Sequence, residues 1–326
     1  MDCCKNTMSK FLFALCRSPM KEACAEFLGT FFLVLCGNGV MASITLGRLG
    51  QEAAIVSAFG WGLSLGIGIW ISGGISGGHL NPAVTTAMAV MRKCSWNKVV
   101  PYLVAQYLAS FLAASVVFLV YHDGIVEFDL GTRQLPPLAN STAQIFATYP
   151  KDSVSTGILF ADQVVGTCLL LIVICTATDS RSGRSESHLP GLIIGLGLTA
   201  IALAFGHNCG APLNPARDFS PRLFTAIAGW GFDTFSFRNY TWFWIPIVAP
   251  HVGALVVFNV NDRLERITTE SPPKSSIPPV FGSLSPTEKS LLDSNKAPEH
   301  SSVISAEGSQ DFLNEALTPK ESAIEE

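Results

Sequence analysis

The chain has 326 residues, of which 48% are apolar and 14% charged, with a mean hydropathy of +0.38 and a formal net charge of -4. A soluble domain carries about 25% charged residues, so the deficit points to a membrane protein. The small acidic balance lacks the basic field that DNA or RNA binding requires, which excludes a nucleic-acid partner. Residues 1–21 read as a cytosolic N-terminal segment. Lys5 to Lys21 is mixed in character and lacks the short apolar run and small-residue cleavage site of a signal peptide, so the apolar stretch that follows is a retained first span. Cys3 and Cys4 precede basic residues, a setting for palmitate or for plain cytosolic thiols. A bilayer core about 30 Å thick needs about 20 apolar helical residues. Six segments meet that requirement: 23–46, 53–72, 99–121, 157–178, 189–205 and 242–259. Glycines such as Gly62, Gly66, Gly68, Gly195 and Gly197 lie inside them, where small residues let helices approach closely. From 267 to 326, Ser, Pro and Glu dominate, the composition of a disordered cytosolic tail.

Cation placement orients the spans. With both termini cytosolic, Lys5, Lys10, Arg17, Lys21, Arg92, Lys93, Lys98, Arg181, Arg184, Arg263 and Arg266 fall on inner flanks, and Arg48, Arg133, Lys151, Arg222 and Arg238 in outer loops. The excess matches the positive-inside rule. The sequons at Asn140 and Asn239 both fall outside, where glycosylation is possible. The nine cysteines include Cys16, Cys24, Cys36, Cys168 and Cys175 in or beside apolar runs. Without metal-ligand pairing they read as packing residues, and neither a metal nor a cofactor is expected.

An internal repeat is the most specific signal. Glu26 precedes Gly29-Thr30, and Gln163 precedes Gly166-Thr167 at the same offsets; Asn81-Pro82-Ala83 follows Glu26 by 55 residues and Asn214-Pro215-Ala216 follows Gln163 by 51. Three-span halves repeated in order must lie oppositely in the membrane, with a shared site near the midplane. Asn is a favoured N-cap and Pro a favoured first helical residue. The short apolar stretches 83–91 and 216–227 therefore read as half-helices entering from opposite faces, their irregular lead-in backbone lining a water-filled cavity. If each Asn oxygen caps its own half-helix, the amide N–H groups of Asn81 and Asn214 are free to donate to a passing oxygen. Carbonyls of Gly77, Gly78, His79 and Leu80, and of Gly210, Ala211, Pro212 and Leu213, supply acceptors. Both positive helix ends face the midpoint and disfavour cations and excess protons.

Ser76-Gly77-Gly78-His79-Leu80-Asn81-Pro82-Ala83-Val84-Thr85 and Pro212-Leu213-Asn214-Pro215-Ala216-Arg217-Asp218 resemble the paired signatures of the aquaporin, or major intrinsic protein, family. The likeness runs over about residues 20 to 266. Asp218, where water-selective members carry a small polar residue, resembles the aquaglyceroporin branch; Cys209 and Pro212 resemble its aquaporin-10-like animal members. The resemblance implies an all-α membrane protein: six transmembrane helices plus two re-entrant half-helices in an inverted three-span repeat, spanning 22–266. It also implies passive passage of glycerol and water, assembly as a homotetramer in the cell membrane, Arg217 as the selectivity-filter donor, Asp218 as a partner of the loop behind it, and Trp61 as an aromatic wall. A buried Arg217–Asp218 ion pair is the alternative, although helix neighbours point about 100° apart. Aligned from Asn214, Ala202 stands where water channels carry His, and Ala211 where a bacterial glycerol facilitator carries a second aromatic. Two small residues imply a wide filter that extends to urea. Glu26, an acid within a span, braces the first loop by resemblance, with Gln163, beside Asp162, as its repeat mate.

His79 is either a titrating gate or a neutral residue orienting its loop, and His207 reads as a vestibule residue. His251 has no role in this reading. No nucleophile stands with a base, which argues against an enzyme. A coupled transporter would place carboxylates at the midplane, where this chain has asparagines. A strict water channel and a poorly conducting junction protein of the same fold remain as alternatives.

Overall fold

A computed structural model describes residues 20–179 and 189–270, with 258–270 as backbone. Expectations placed on Cys3, Cys4, Cys16, Lys5, Lys10, Arg17, Arg181 and Arg184, and on the tail beyond 270, lie outside the described residues. The helices are α1 Met20–Leu46, α2 Ala53–Ser76, α3 Pro82–Val90, α4 Trp96–Val120, α5 His122–Asp129, α6 Thr156–Ala177, α7 Pro190–Phe205, α8 Pro215–Thr225, α9 Asp233–Ser236 and α10 Ile245–Glu270. Among these, α1, α2, α4 and α6 are long and apolar enough to cross a bilayer, and α7 and Ile245–Val257 of α10 are shorter apolar helices. Together they are the six spans, with α3 and α8 as the half-helices. The last helix runs to Glu270, beyond the expected start of the tail at 267.

The spans are apolar outside as well as inside. Leu63, Ile67 and Trp70 of α2 and Leu192 and Leu196 of α7 are exposed, as suits helices whose outer faces meet lipid. Their mutual packing rests on small residues rather than on burial of hydrophobic surface. Where α2 crosses α7, a methyl added at Gly62 would stand 1.9 Å from Thr199 Oγ1, and one added at Gly195 would stand 2.5 Å from the Gly62 carbonyl. The repeat extends to packing: a methyl at Gly29 would meet the Leu80 side chain at 2.6 Å, and one at Gly166 the Leu213 side chain at 2.7 Å. These paired glycines seat the leucines that precede the two asparagines.

One element of the expected topology needs correction. Arg222 is not in an outer loop; it lies in the last turn of α8, fully buried. Arg133 is largely covered and paired with the buried Asp129 at 2.8 Å. Arg133 keeps its place in a loop, so only Arg222 leaves the outer count. Arg222 escapes a loop because Pro215 starts α8 and an i,i+4 partner, Asp218, lies one turn back on the same face. His251 also gains an account: its Nδ1 lies 2.7 Å from the Ile247 carbonyl one turn earlier, a bond that satisfies it within its own helix.

Candidate functional site

The two half-helices begin with the same local chemistry. Asn81 Oδ1 accepts from Ala83 N at 2.9 Å, and Asn214 Oδ1 accepts from Ala216 N at 3.0 Å and Arg217 N at 3.3 Å. Pro82 and Pro215 occupy the first helical position, where a missing N–H costs nothing. Because backbone N–H groups demand the oxygen, each side-chain Nδ2 points the other way. Asn81 Nδ2 donates to the Leu213 carbonyl at 2.9 Å and Asn214 Nδ2 to the Leu80 carbonyl at 2.8 Å. The expectation of free amides is corrected by these bonds: one N–H of each asparagine is committed to the opposite loop, and only the second is available. The Leu80 and Leu213 carbonyls likewise seal the junction rather than standing open along a lane.

The backbone before each motif is bent into the left-handed region. Gly77, Gly78 and Leu80 have φ of 93, 64 and 52°, and Gly210, Ala211 and Leu213 have 80, 50 and 48°. Ala211 and both leucines pay a strain of order 1 kcal/mol or more for this, which surrounding bonds must hold. In the first half, Glu26 supplies most of these bonds, with Ser76 Oγ also accepting from Gly78 N at 3.2 Å and the Tyr102 hydroxyl donating to the Ser76 carbonyl at 3.0 Å. The Glu26 carboxylate accepts from Ser76 Oγ at 2.6 Å, His79 N at 2.9 Å, Leu80 N at 2.7 Å and Gln106 Nε2 at 2.9 Å. In the second half, Gln163 Oε1 accepts from Leu213 N at 3.1 Å, while its Nε2 donates to Asp162 at 3.0 Å and to Cys209 Sγ at 3.1 Å. Asp162 in turn accepts from Asn208 Nδ2 at 2.7 Å. The single carboxylate of one half is thus divided between two residues in the other.

A narrow cavity of about 50 Å³ runs beside the junction. Trp61, Ala202, Ala211 and Arg217 all line it, with Asn81, Asn214, His79, Gly210, Pro212 and Leu213. A water needs roughly 10–15 Å³ of such space, so the cavity holds a few molecules in file. Its lining also includes the apolar side chains Leu33, Leu65, Val84, Leu170 and Leu198. A larger space of about 910 Å³ adjoins it at His79 and Val84 and reaches Gly77 and Gly78. Leu80, fully buried, lines neither space. His207 lies in the exposed turn after α7, with Lys151 Nζ 2.7 Å from its Nε2.

Arg217 is 6% exposed, and its guanidinium carbon stands 4.1 Å from the centre of the Trp61 ring. Its Nη1 donates to the Phe146 carbonyl at 3.4 Å. It does not pair with Asp218. Asp218 instead accepts from Arg222 Nε at 3.0 Å and Nη2 at 2.8 Å, and from Thr148 N at 2.8 Å and the Thr148 hydroxyl. The remaining donors of Arg222 reach the carbonyls of Thr148 at 2.6 Å and Thr234 at 2.9 Å. Trp242 Nε1 adds a bond to the Thr148 carbonyl at 2.7 Å. Tyr149, whose phenol burial pushes up to about 12, stays neutral with its ring 4.8 Å from the Arg222 guanidinium carbon. Sequence reasoning gave no site role to Arg222, Thr148, Gln106 or Ser76; Ser76 stood at the head of the first signature, and the Asp218-to-Arg222 spacing of four was the signal for Arg222.

The Major intrinsic protein family matches residues 15–258. Over 239 residues the chain is 44% identical to human aquaporin-9, covering 73% of this chain and 80% of that protein. It is 47% identical to aquaglyceroporin-2 of Rhizophagus irregularis, covering 75% and 77%. It is also 43% identical to aquaporin-10 of the tardigrade Milnesium tardigradum, covering 72% of this chain but only 60% of the relative's length. The X-ray structure of the aquaglyceroporin from Plasmodium falciparum superposes with a TM-score of 0.68 at 33% identity, covering 76% of this chain and 97% of the other. Inverted halves, paired Asn-Pro-Ala caps joined tip to tip, and these likenesses place the chain in the major intrinsic protein family.

Proposed function

We propose that the chain is a passive membrane channel for glycerol and water. The observation that carries this reading is the mixed lining of the cavity: leucines and a valine together with two asparagines, one arginine and residues of the bent loop before Asn214. A polyol carries both characters, a carbon chain and a row of hydroxyls, so it exchanges its hydration for lane contacts at little cost. Trp61 and Arg217 form the corner of the filter. Ala202 and Ala211 leave it wide enough for urea as well. A strict water channel would carry bulk at these two positions, and a non-conducting junction protein would lack an open cavity beside the asparagines.

The chain assembles as a homotetramer in the plasma membrane with both termini cytosolic. The cation asymmetry supports this orientation, and moving Arg222 out of the outer loops widens it by one. Purified protein in proteoliposomes should raise glycerol, water and urea uptake well above empty vesicles in stopped-flow measurements. Vesicles that swell no faster than protein-free ones would end this reading.

Of the two sequons, Asn239 supports a glycan better. Asn239 is exposed, whereas Thr142 of the other sequon is fully buried, donating to Asp129 and accepting from Trp230. Asn239→Gln should abolish most of the gel shift produced by an endoglycosidase. A shift that follows Asn140 instead would reverse the assignment.

A further inference from the structure

Three ionised groups stand within six residues of α8, and their pairing is unequal. Asp218 lies between two arginines in sequence, yet both of its Oδ1 bonds come from Arg222 and both Oδ2 bonds from Thr148. Arg217, which adjoins it in the chain, takes only a long bond to a carbonyl and the face of Trp61. All three side chains are buried. Of the residues lining the narrow cavity, Arg217 is the one with a fixed charge. The positive charge facing the lumen therefore exists because Asp218 is already neutralised from behind. In a low-dielectric setting, a carboxylate left free one residue away would cancel much of that field.

We propose that Arg222, which touches no permeating molecule, sets the net charge of the filter: by holding Asp218 it leaves Arg217 uncompensated, and this surplus excludes protons and metal cations. Arg222 is thus a positioning residue for selectivity, and the inference rests on Arg217 being the filter cation of a neutral-solute channel. The charge sum makes the idea separable from packing. Arg217, Asp218 and Arg222 together carry one surplus positive charge. Arg222→Gln removes it, while the double change Arg222→Gln with Asp218→Asn restores it even though the ionic anchor of the loop is gone. A purely structural role predicts the reverse order, with the double variant at least as damaged as the single.

The test reads proton and potassium leak, alongside glycerol uptake, in proteoliposomes holding the full chain. Arg222→Gln should raise cation leak at least about tenfold, the effect of weakening one electrostatic barrier, and the double variant should return it close to the unsubstituted level. Arg222→Lys keeps the charge but loses the forked bonds, and it should stay tight to cations. If Arg222→Gln conducts glycerol without added leak, or if the double variant leaks as much as the single, the proposal is overturned. Should Arg222→Gln fail to fold, leak through Arg222→Lys overturns it on its own. Failure of the unsubstituted protein to take up glycerol would instead strike the channel reading itself, a result visible before any variant is made.

Discussion

Ala211→Phe should cut glycerol uptake at least about tenfold, a barrier increase of about 1.4 kcal/mol, while water uptake falls far less. Ala211 sits in the left-handed region at φ 50° and lines the narrow cavity. Its methyl already pays the cost of that backbone, so a ring added there is accommodated by the lane rather than by the fold. The free space is about 50 Å³, and a benzyl group takes the width that a three-carbon solute needs. Water, which requires roughly 10–15 Å³, retains a path along Arg217 and the asparagines. Stopped-flow ratios of glycerol to water measure the change. Equal loss of both solutes would mean a blocked channel, and no loss of either would remove Ala211 from the filter.

The same residue shows what sequence could and could not reach. Spacing from Asn214 located Ala211, and Asn-Pro at each half-helix start gave the caps, because both are rules of local backbone chemistry. The six spans followed from length and hydropathy, with boundaries within four residues except at the last helix, which runs eleven residues past the apolar stretch to Glu270 because a helix can continue beyond its apolar part. Bonds across the repeat were not legible. Nothing in Asn81 or Leu213 announces that one amide hydrogen closes on the other loop's carbonyl, since the partners lie 132 residues apart. Arg222 was misplaced for a related reason. Counting Lys and Arg by segment treats each as solvated, whereas this one is buried and spends its donors on Asp218, Thr148 and Thr234.

Glu26→Leu should be strongly destabilising, and clearly worse than Gln163→Leu at the matching point of the repeat. Removing the carboxylate strands His79 N, Leu80 N, Ser76 Oγ and Gln106 Nε2 as acceptors are lost. Each buried donor left unpaired costs about 1–3 kcal/mol. Ser76 and Gln106 have other partners, Ser72 O and Thr85 Oγ1, so the two backbone amides carry most of the penalty, about 2–6 kcal/mol. At about 2–4 °C per kcal/mol for a domain of this size, the melting temperature in detergent should drop by about 4–24 °C. Gln163→Leu strands one backbone amide, Leu213 N, and Asp162 stays in place to hold Asn208, so a fall of about half that size is expected. Glu26→Gln keeps one acceptor oxygen for the four donors and should lie between the two. Equal melting temperatures for Glu26→Leu and Gln163→Leu would show that the first loop is held by packing of Leu80 against Gly29 rather than by the carboxylate. Gly29→Val should be damaging in either case, because its side chain would meet Leu80 and the Gly68 carbonyl where no room is left.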